Sequence, residues 1–154
     1  MRPVSMVASA TAALAFLVST ALAGPVSPDD VKIVDGVLEK SLTGQPGDPA
    51  KGRQWAKNRR LGNCLACHVN SDMKEEQFHG EVGPTLDGVA DRYDIPTLRA
   101  MLVNSKAVFG DETIMPAFYR ATGFFRNADK FKGKTILTAQ QVEDVLAYLV
   151  TLKD

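Results

Sequence analysis

The chain has 154 residues, with 18 Lys and Arg against 18 Asp and Glu, two His and two Cys. That length holds one ordinary domain, and a balanced charge excludes the basic excess that nucleic acid or an anionic membrane surface demands of its main partners. Two cysteines are too few for a four-thiolate zinc site.

Residues 1–23 read as an export signal. Met1-Arg2 is a short basic start, Val7 to Val18 is apolar and alanine-rich, and Ala21-Leu22-Ala23 closes the run with the small-x-small pattern of a signal-peptidase site. Cleavage after Ala23 is expected, which leaves a mature chain from Gly24 and places it in the periplasm. The competing reading is an uncleaved anchor, and Ser9, Thr11, Ser19 and Thr20 interrupt it. No further transmembrane candidate follows. Loss of Arg2 leaves 17 basic of the 18, against 18 acidic side chains, so the mature chain stays near neutral.

Residues 24–47 read as an N-terminal extension, punctuated by Pro25, Pro28, Gly44, Pro46 and Gly47. The apolar spacing of Val31, Val34, Val37 and Leu38 predicts one short helical segment within it. Residues 48–154 then form the main domain. Asp48-Pro49 is a helix start, with Asp as N-cap and Pro at the first helical position, and the helix is expected to run towards Gly62. Gly52 on this helix would let it cross the C-terminal helix closely near Tyr148 or Leu149. Asp94-Ile95-Pro96-Thr97 opens another helix, with Ile95, Leu98, Met101 and Leu102 at helical spacing. The clearest helix is the last: Thr138 and Gln141 form a capping box, and Val142, Val145, Leu146, Leu149 and Leu152 make a continuous apolar stripe. With no alternating runs to suggest strands, the expectation is a single all-α domain of three to five helices.

The most specific chemical signal is Cys64-Leu65-Ala66-Cys67-His68. Cys-x-x-Cys-His is the attachment motif of a c-type haem: the two thiols form thioethers to the porphyrin's vinyl groups, and the histidine that follows supplies an axial imidazole. A redox Cys-x-x-Cys pair would instead need a strand-to-helix setting, and the residues before Cys64 read as helix and turn. Both cysteines are then committed, so the chain has no nucleophilic thiol of its own and no catalytic residue is assigned. A covalent haem also adds a large apolar plate to a core that so short a chain can barely fill.

His68 fills one axial position of the iron. For the other, Met73, His79, Met101, Met115 and an open site are weighed. Met73 lies only five residues past His68, Met101 sits on an apolar helix face where methionine is ordinarily core, and His79 is in a Gly-rich loop. Met115, in Thr113-Ile114-Met115-Pro116-Ala117-Phe118, is the favoured ligand, because proline stiffens the loop and apolar neighbours can close a distal pocket. Histidine and methionine together favour ferrous iron and electron transfer. The carbonyl of Pro84, in Gly83-Pro84-Thr85-Leu86, is expected to accept the other ring N–H of His68. Between Phe118 and Phe131, five aromatic residues crowd with Arg120, Arg126 and Lys130; they read equally well as a docking surface or as cover for the haem edge.

Taken together, the opening helix with Gly52 and Trp55, the Cys64–His68 motif, the Gly83-Pro84 turn, the Met115-Pro116 loop and the closing helix resemble a class I cytochrome c. Three stretches resemble more narrowly the SoxX family, the small subunit of the SoxAX cytochrome of bacterial sulfur oxidation. They are Gly83 to Val89, Ile114 to Tyr119 and Gly133 to Val145; the resemblance spans roughly residues 50 to 152 and does not reach residues 24–47. It implies one covalent haem c and a periplasmic heterodimer with a SoxA cytochrome. It also implies oxidative joining of thiosulfate to a cysteine of the SoxYZ carrier protein, with two electrons leaving through a downstream cytochrome c. In that family the reactive thiolate belongs to SoxA, so the chain would be the electron-transfer subunit of an L-cysteine S-thiosulfotransferase. The rival readings are a free periplasmic electron shuttle and a five-coordinate haem protein.

Overall fold

The structure is a computed structural model and describes residues 24–154; the expected signal segment 1–23 lies outside the described residues. Five α-helices follow one another: α1 (Pro49–Lys57), α2 (Val89–Arg92), α3 (Ile95–Asn104), α4 (Lys106–Phe109) and α5 (Ala139–Leu149). Among the described residues there is no strand, only an isolated bridge between Val34 and Val37. The all-α expectation therefore holds.

Each long helix starts where its capping residues dictate. The Asp48 carboxylate accepts from the N–H groups of Ala50 and Lys51, satisfying two of the donors that a helix start leaves open, and Pro49 supplies a pre-set φ. Asp94 does the same for Thr97 at the head of α3. At α5 both halves of the capping box are present, with Thr138 Oγ1 accepting from Gln141 N–H and Gln141 Oε1 accepting from Thr138 N–H. The stripe Val142, Val145, Leu146, Leu149 and Leu152 is buried throughout, and so are Leu98, Met101 and Leu102 of α3. Ile95 departs from that pattern and lies exposed, because it occupies the first turn, before α3 reaches the core.

Helix α1 crosses α5 at Gly52. A Cβ there would collide with the backbone carbonyl of Asp144 and the Tyr148 side chain, so only glycine admits this approach. The contact is the one expected at Tyr148, extended one turn back to Asp144. The helix is shorter than its spacing suggested: it ends at Lys57, and Asn58 to Asn63 form a turn closed by Leu61 and Asn63 N–H groups on the Asn58 carbonyl.

The N-terminal segment is not helical where its apolar spacing predicted. Only a single 3-10 turn, Pro28–Asp30, forms. Val34 and Val37 instead pair across Asp35-Gly36, both with positive φ (50° and 77°). An Asp-Gly pair in that conformation is a tight hairpin turn, and its backbone preference overrides a weak 3.6-residue period. The segment is nonetheless firmly attached. Leu38 and Leu42 enter the core, Val26 N–H donates to Leu42 O (2.8 Å) and Leu38 N–H to Pro96 O (3.0 Å).

A buried ion pair completes the attachment. Arg99 of α3 meets Glu143 of α5 at 3.1 Å, with side chains only 10% and 5% exposed. Arg99 also donates to the carbonyls of Leu38 (2.9 Å) and Glu39 (3.1 Å), and Glu143 accepts from Leu42 N–H at 2.7 Å. Removing one member leaves its partner charged and buried, which costs about 3–5 kcal/mol. Glu143→Ala is therefore expected to lower the unfolding free energy of the haem-loaded protein by about that amount, read from the midpoint of a urea titration at unchanged slope.

Candidate haem site

The motif forms a single 3-10 turn, Cys64–Ala66, entered through Asn63 in the left-handed region (φ 50°). Cys64 O accepts from both Cys67 N–H (3.1 Å) and His68 N–H (3.0 Å), which folds both thiols and the imidazole onto one short arc. Neither cysteine is in a disulfide. Burial pushes the Cys64 thiol up to about 12, so it is protonated at neutral pH, the opposite of the acidic thiol that a redox pair or nucleophile requires.

A glycine-rich loop braces the arc from outside. Gly80 N–H donates to Leu65 O, Gly83 N–H to Cys67 O and Leu86 N–H to Val69 O, each at 2.8 Å. Gly83 lies against the imidazole itself: a Cβ there would overlap the His68 ring. The next residue supplies the ring's partner, with His68 Nδ1 2.6 Å from Pro84 O. The proton therefore sits on Nδ1, and Nε2, which has no protein partner among the described residues, carries a free lone pair.

Beyond the motif, Asn70 is wholly buried and donates to Tyr148 Oη at 2.8 Å, while Tyr148 donates to Asp72 Oδ2 at 2.8 Å. Asp72 in turn receives Arg53 Nε of α1 at 2.8 Å, and Arg53 also pairs with Glu75 at 2.8 Å. The Arg53 guanidinium, helped by the Tyr148 hydroxyl, holds the Asp72 carboxyl below its ordinary value, and burial pushes the Tyr148 phenol up. The sequence pointed to Tyr148 only as a helix crossing, and the buried roles of Asn70, Asp72, Arg53, Glu143 and Asp144 were not read from it. Asp144 is buried on α5, accepting from Asp48 N–H (2.9 Å) and Trp55 Nε1–H (3.2 Å). Acidic residues at these positions have no period that separates them from solvent-facing ones.

The candidates for the second axial ligand separate by their surroundings. Met73 is fully buried and Met101 nearly so, both within the core cluster. His79 has both ring nitrogens engaged, Nδ1 accepting from Asn70 N–H and Nε2 facing Met73 O, each at 3.2 Å. Of the three methionines Met115 alone is half-buried, packed against the edge of the core. Its loop is stitched to the end of α3: Ser105 Oγ donates to Met115 O at 2.6 Å, Phe118 N–H to Leu102 O at 3.0 Å and Tyr119 N–H to Val103 O at 3.1 Å. Of the aromatic residues that follow, Phe118 and Tyr119 are core, Phe125 is wholly exposed, and Arg120 lies over the Phe124 ring at 5.2 Å.

Among the described residues no three His, Cys, Asp or Glu side chains converge as a bare metal ion would require. Two adjacent thiols, one imidazole with an oriented free nitrogen and one edge thioether fit a haem instead. The family model for cytochrome c matches residues 49–153. The chain belongs to the cytochrome c family. Within it, this cytochrome is a SoxX-like class I member carrying one covalent haem c. It is 44% identical to a chain of the SoxXA crystal structure from P. pantotrophus, covering 84% of this chain and 99% of that one at a TM-score of 0.78. The c-type cytochrome SorU from Sinorhizobium meliloti matches at 27% identity, covering 68% of this chain and 90% of that one, with a TM-score of 0.44. The comparison with curated proteins returns no match.

The sign of the pH dependence follows from Asp72. Its folded value lies below the ordinary 3.8, so its contribution is complete above that pH and is lost as pH falls through the lower folded value. Thermal melts are expected to fall steeply below pH 4. In Asp72→Asn the melting temperature is lower at neutral pH and this part of the acid loss disappears; an identical pH profile in the variant would contradict the assignment.

Proposed function

We propose that this cytochrome is the electron-transfer subunit of a SoxAX-like complex that oxidatively conjugates thiosulfate to a cysteine of a SoxYZ-like carrier protein. The observation that carries the reading is the 44% identity to a chain of a SoxXA structure over 99% of that chain's length. In this reading residues 1–23 are a signal peptide cleaved after Ala23, residues 24–47 an N-terminal extension and residues 48–154 the cytochrome domain, working in the periplasm. Among the described residues no helix is long and apolar enough to cross a membrane.

Cys64 and Cys67 would hold the haem through thioethers, with His68 Nε2 and Met115 as axial ligands. When bound, haem c supplies a one-electron iron couple. Pro84 fixes the imidazole by accepting its Nδ1 proton, which raises the basicity of Nε2. Glycine at position 83 leaves room for the same ring, which any Cβ there would overlap. The thioether of Met115 is a soft ligand that favours the ferrous state and raises the potential. With His68 and Met115 both holding the iron, and the chain's two cysteines both in thioethers, neither an open iron position nor a thiol would remain, and the bond-forming chemistry would fall to a partner. A SoxA-like cytochrome with its own reactive cysteine supplies that need, and a downstream cytochrome c removes the electrons.

Met115→Ala is expected to lose the thioether-to-iron charge-transfer band and to lower the reduction potential; an unchanged visible spectrum would refute the ligand assignment. For the subunit role, the tagged protein purified from the periplasm of sulfur-grown cells should co-elute with an equimolar second cytochrome that contains a cysteine outside its haem motifs. Elution as a lone haem protein would instead favour a diffusing electron shuttle.

A further inference from the structure

The chain between α4 and α5 runs from Gly110 to Thr138 with only one 3-10 turn, Asp129–Phe131, inside it. A connection of that length and so little internal structure must be held by what it touches. The fasteners concentrate on the five residues from Met115 to Tyr119. Three are backbone, and in two of them the Phe118 and Tyr119 N–H groups cap the carbonyls of Leu102 and Val103, which the end of α3 leaves without helical partners. Leu137 N–H closes the far side on Phe118 O at 3.0 Å. The other two depend on side chains. Ser105, fully buried, donates to the carbonyl of Met115 itself, and Tyr119 Oη donates to Val26 O at 2.7 Å.

That last bond joins the loop to the N-terminal segment. Val26 is held by Leu42 O, and Leu42 by the buried Glu143 that pairs with Arg99. A second link, Thr122 Oγ1 to Asp29 Oδ1 at 3.3 Å, runs parallel to it. Burial pushes the Tyr119 phenol above its ordinary value, so the donor stays protonated.

We propose that residues 24–42 are a strap that keeps the Met115 loop closed on the iron, with Tyr119 as the positioning residue that transmits its hold and Ser105 as the one that ties the same loop to the end of α3. The inference rests on Met115 as the axial ligand. Its consequence is that access of an outside ligand to the iron requires the loop to open, so the apparent affinity for such a ligand measures how often the loop is open. Loss of either side-chain bond raises that population.

The test is cyanide binding to the ferric haem-loaded protein, followed by visible absorbance, in wild type, Tyr119→Phe, Ser105→Ala and Val142→Ala. Val142 lies in the core on α5, its apolar side chain makes none of these hydrogen bonds, and it serves as a control for lost stability alone. Tyr119→Phe and Ser105→Ala are each expected to bind cyanide about threefold to tenfold more tightly than wild type, as loss of one hydrogen bond predicts. Val142→Ala is expected to melt at a lower temperature yet bind cyanide as wild type does. Wild-type affinity in Tyr119→Phe, with the thioether band intact, overturns the strap whatever Ser105→Ala shows, and leaves Met115 as ligand. An equal gain in Val142→Ala overturns it as well, since global loosening then accounts for the effect. Absence of the band in wild type would overturn the ligand assignment and the strap together.

Discussion

Arg99 and Glu143 face each other almost without contact with water, and charges so placed are tolerable only when their remaining hydrogen-bonding positions are filled. What fills them is backbone from the N-terminal segment: the carbonyls of Leu38 and Glu39 on the arginine, the N–H of Leu42 on the glutamate. The pair thus makes three elements depend on one another. Helices α3 and α5 need the segment to satisfy their charges, and the segment, which has almost no regular structure, needs the charges to order it. An apolar pair at these positions would pack α3 on α5 equally well, but it would offer nothing to specify where an irregular stretch of chain should lie.

The same logic recurs one residue further along α5. Asp144 turns its carboxylate to the start of α1 and to the Trp55 indole, at the point where Gly52 lets the two helix backbones come together. Tyr148, one turn on, reaches Asn70 and Asp72 just past the haem motif. One face of α5 is therefore apolar core, and its flank is a row of buried polar joints. These joints set α1, the motif and the N-terminal segment in a common frame. An electron carrier gains from such a frame, because a site whose ligands are held by their supporting shell does not rearrange between uses.

Against that frame the two proposed axial ligands are supported in different ways. His68 is held from within its own segment, by the Pro84 carbonyl 16 positions on, beside the close approach of Gly83. Met115 is held by Ser105, 10 positions back, and also remotely, since its neighbour Tyr119 is tied to Val26 across 93 positions. The histidine side of the site is thus a property of one contiguous segment, and the methionine side a property of the assembled fold.

That difference also divides what could be read in advance. The haem motif, the three capped helix starts and the α5 stripe were legible in the sequence because each is set by residues within a few turns of one another, where spacing alone decides the geometry. Within residues 24–47 the stretch from Val31 to Leu38 was misread as a short helix, since a tight Asp35-Gly36 turn and long-range anchoring outweighed a weak apolar period. The buried roles of Arg99, Glu143, Asp144, Asn70 and Ser105 left no trace in local pattern, because a charged or polar residue looks the same in sequence whether it faces water or a partner sixty residues away. By itself the sequence determined the fold class, the prosthetic group and the family. Only tertiary structure decided which polar groups are buried, for their burial depends on partners that the chain brings together when it closes.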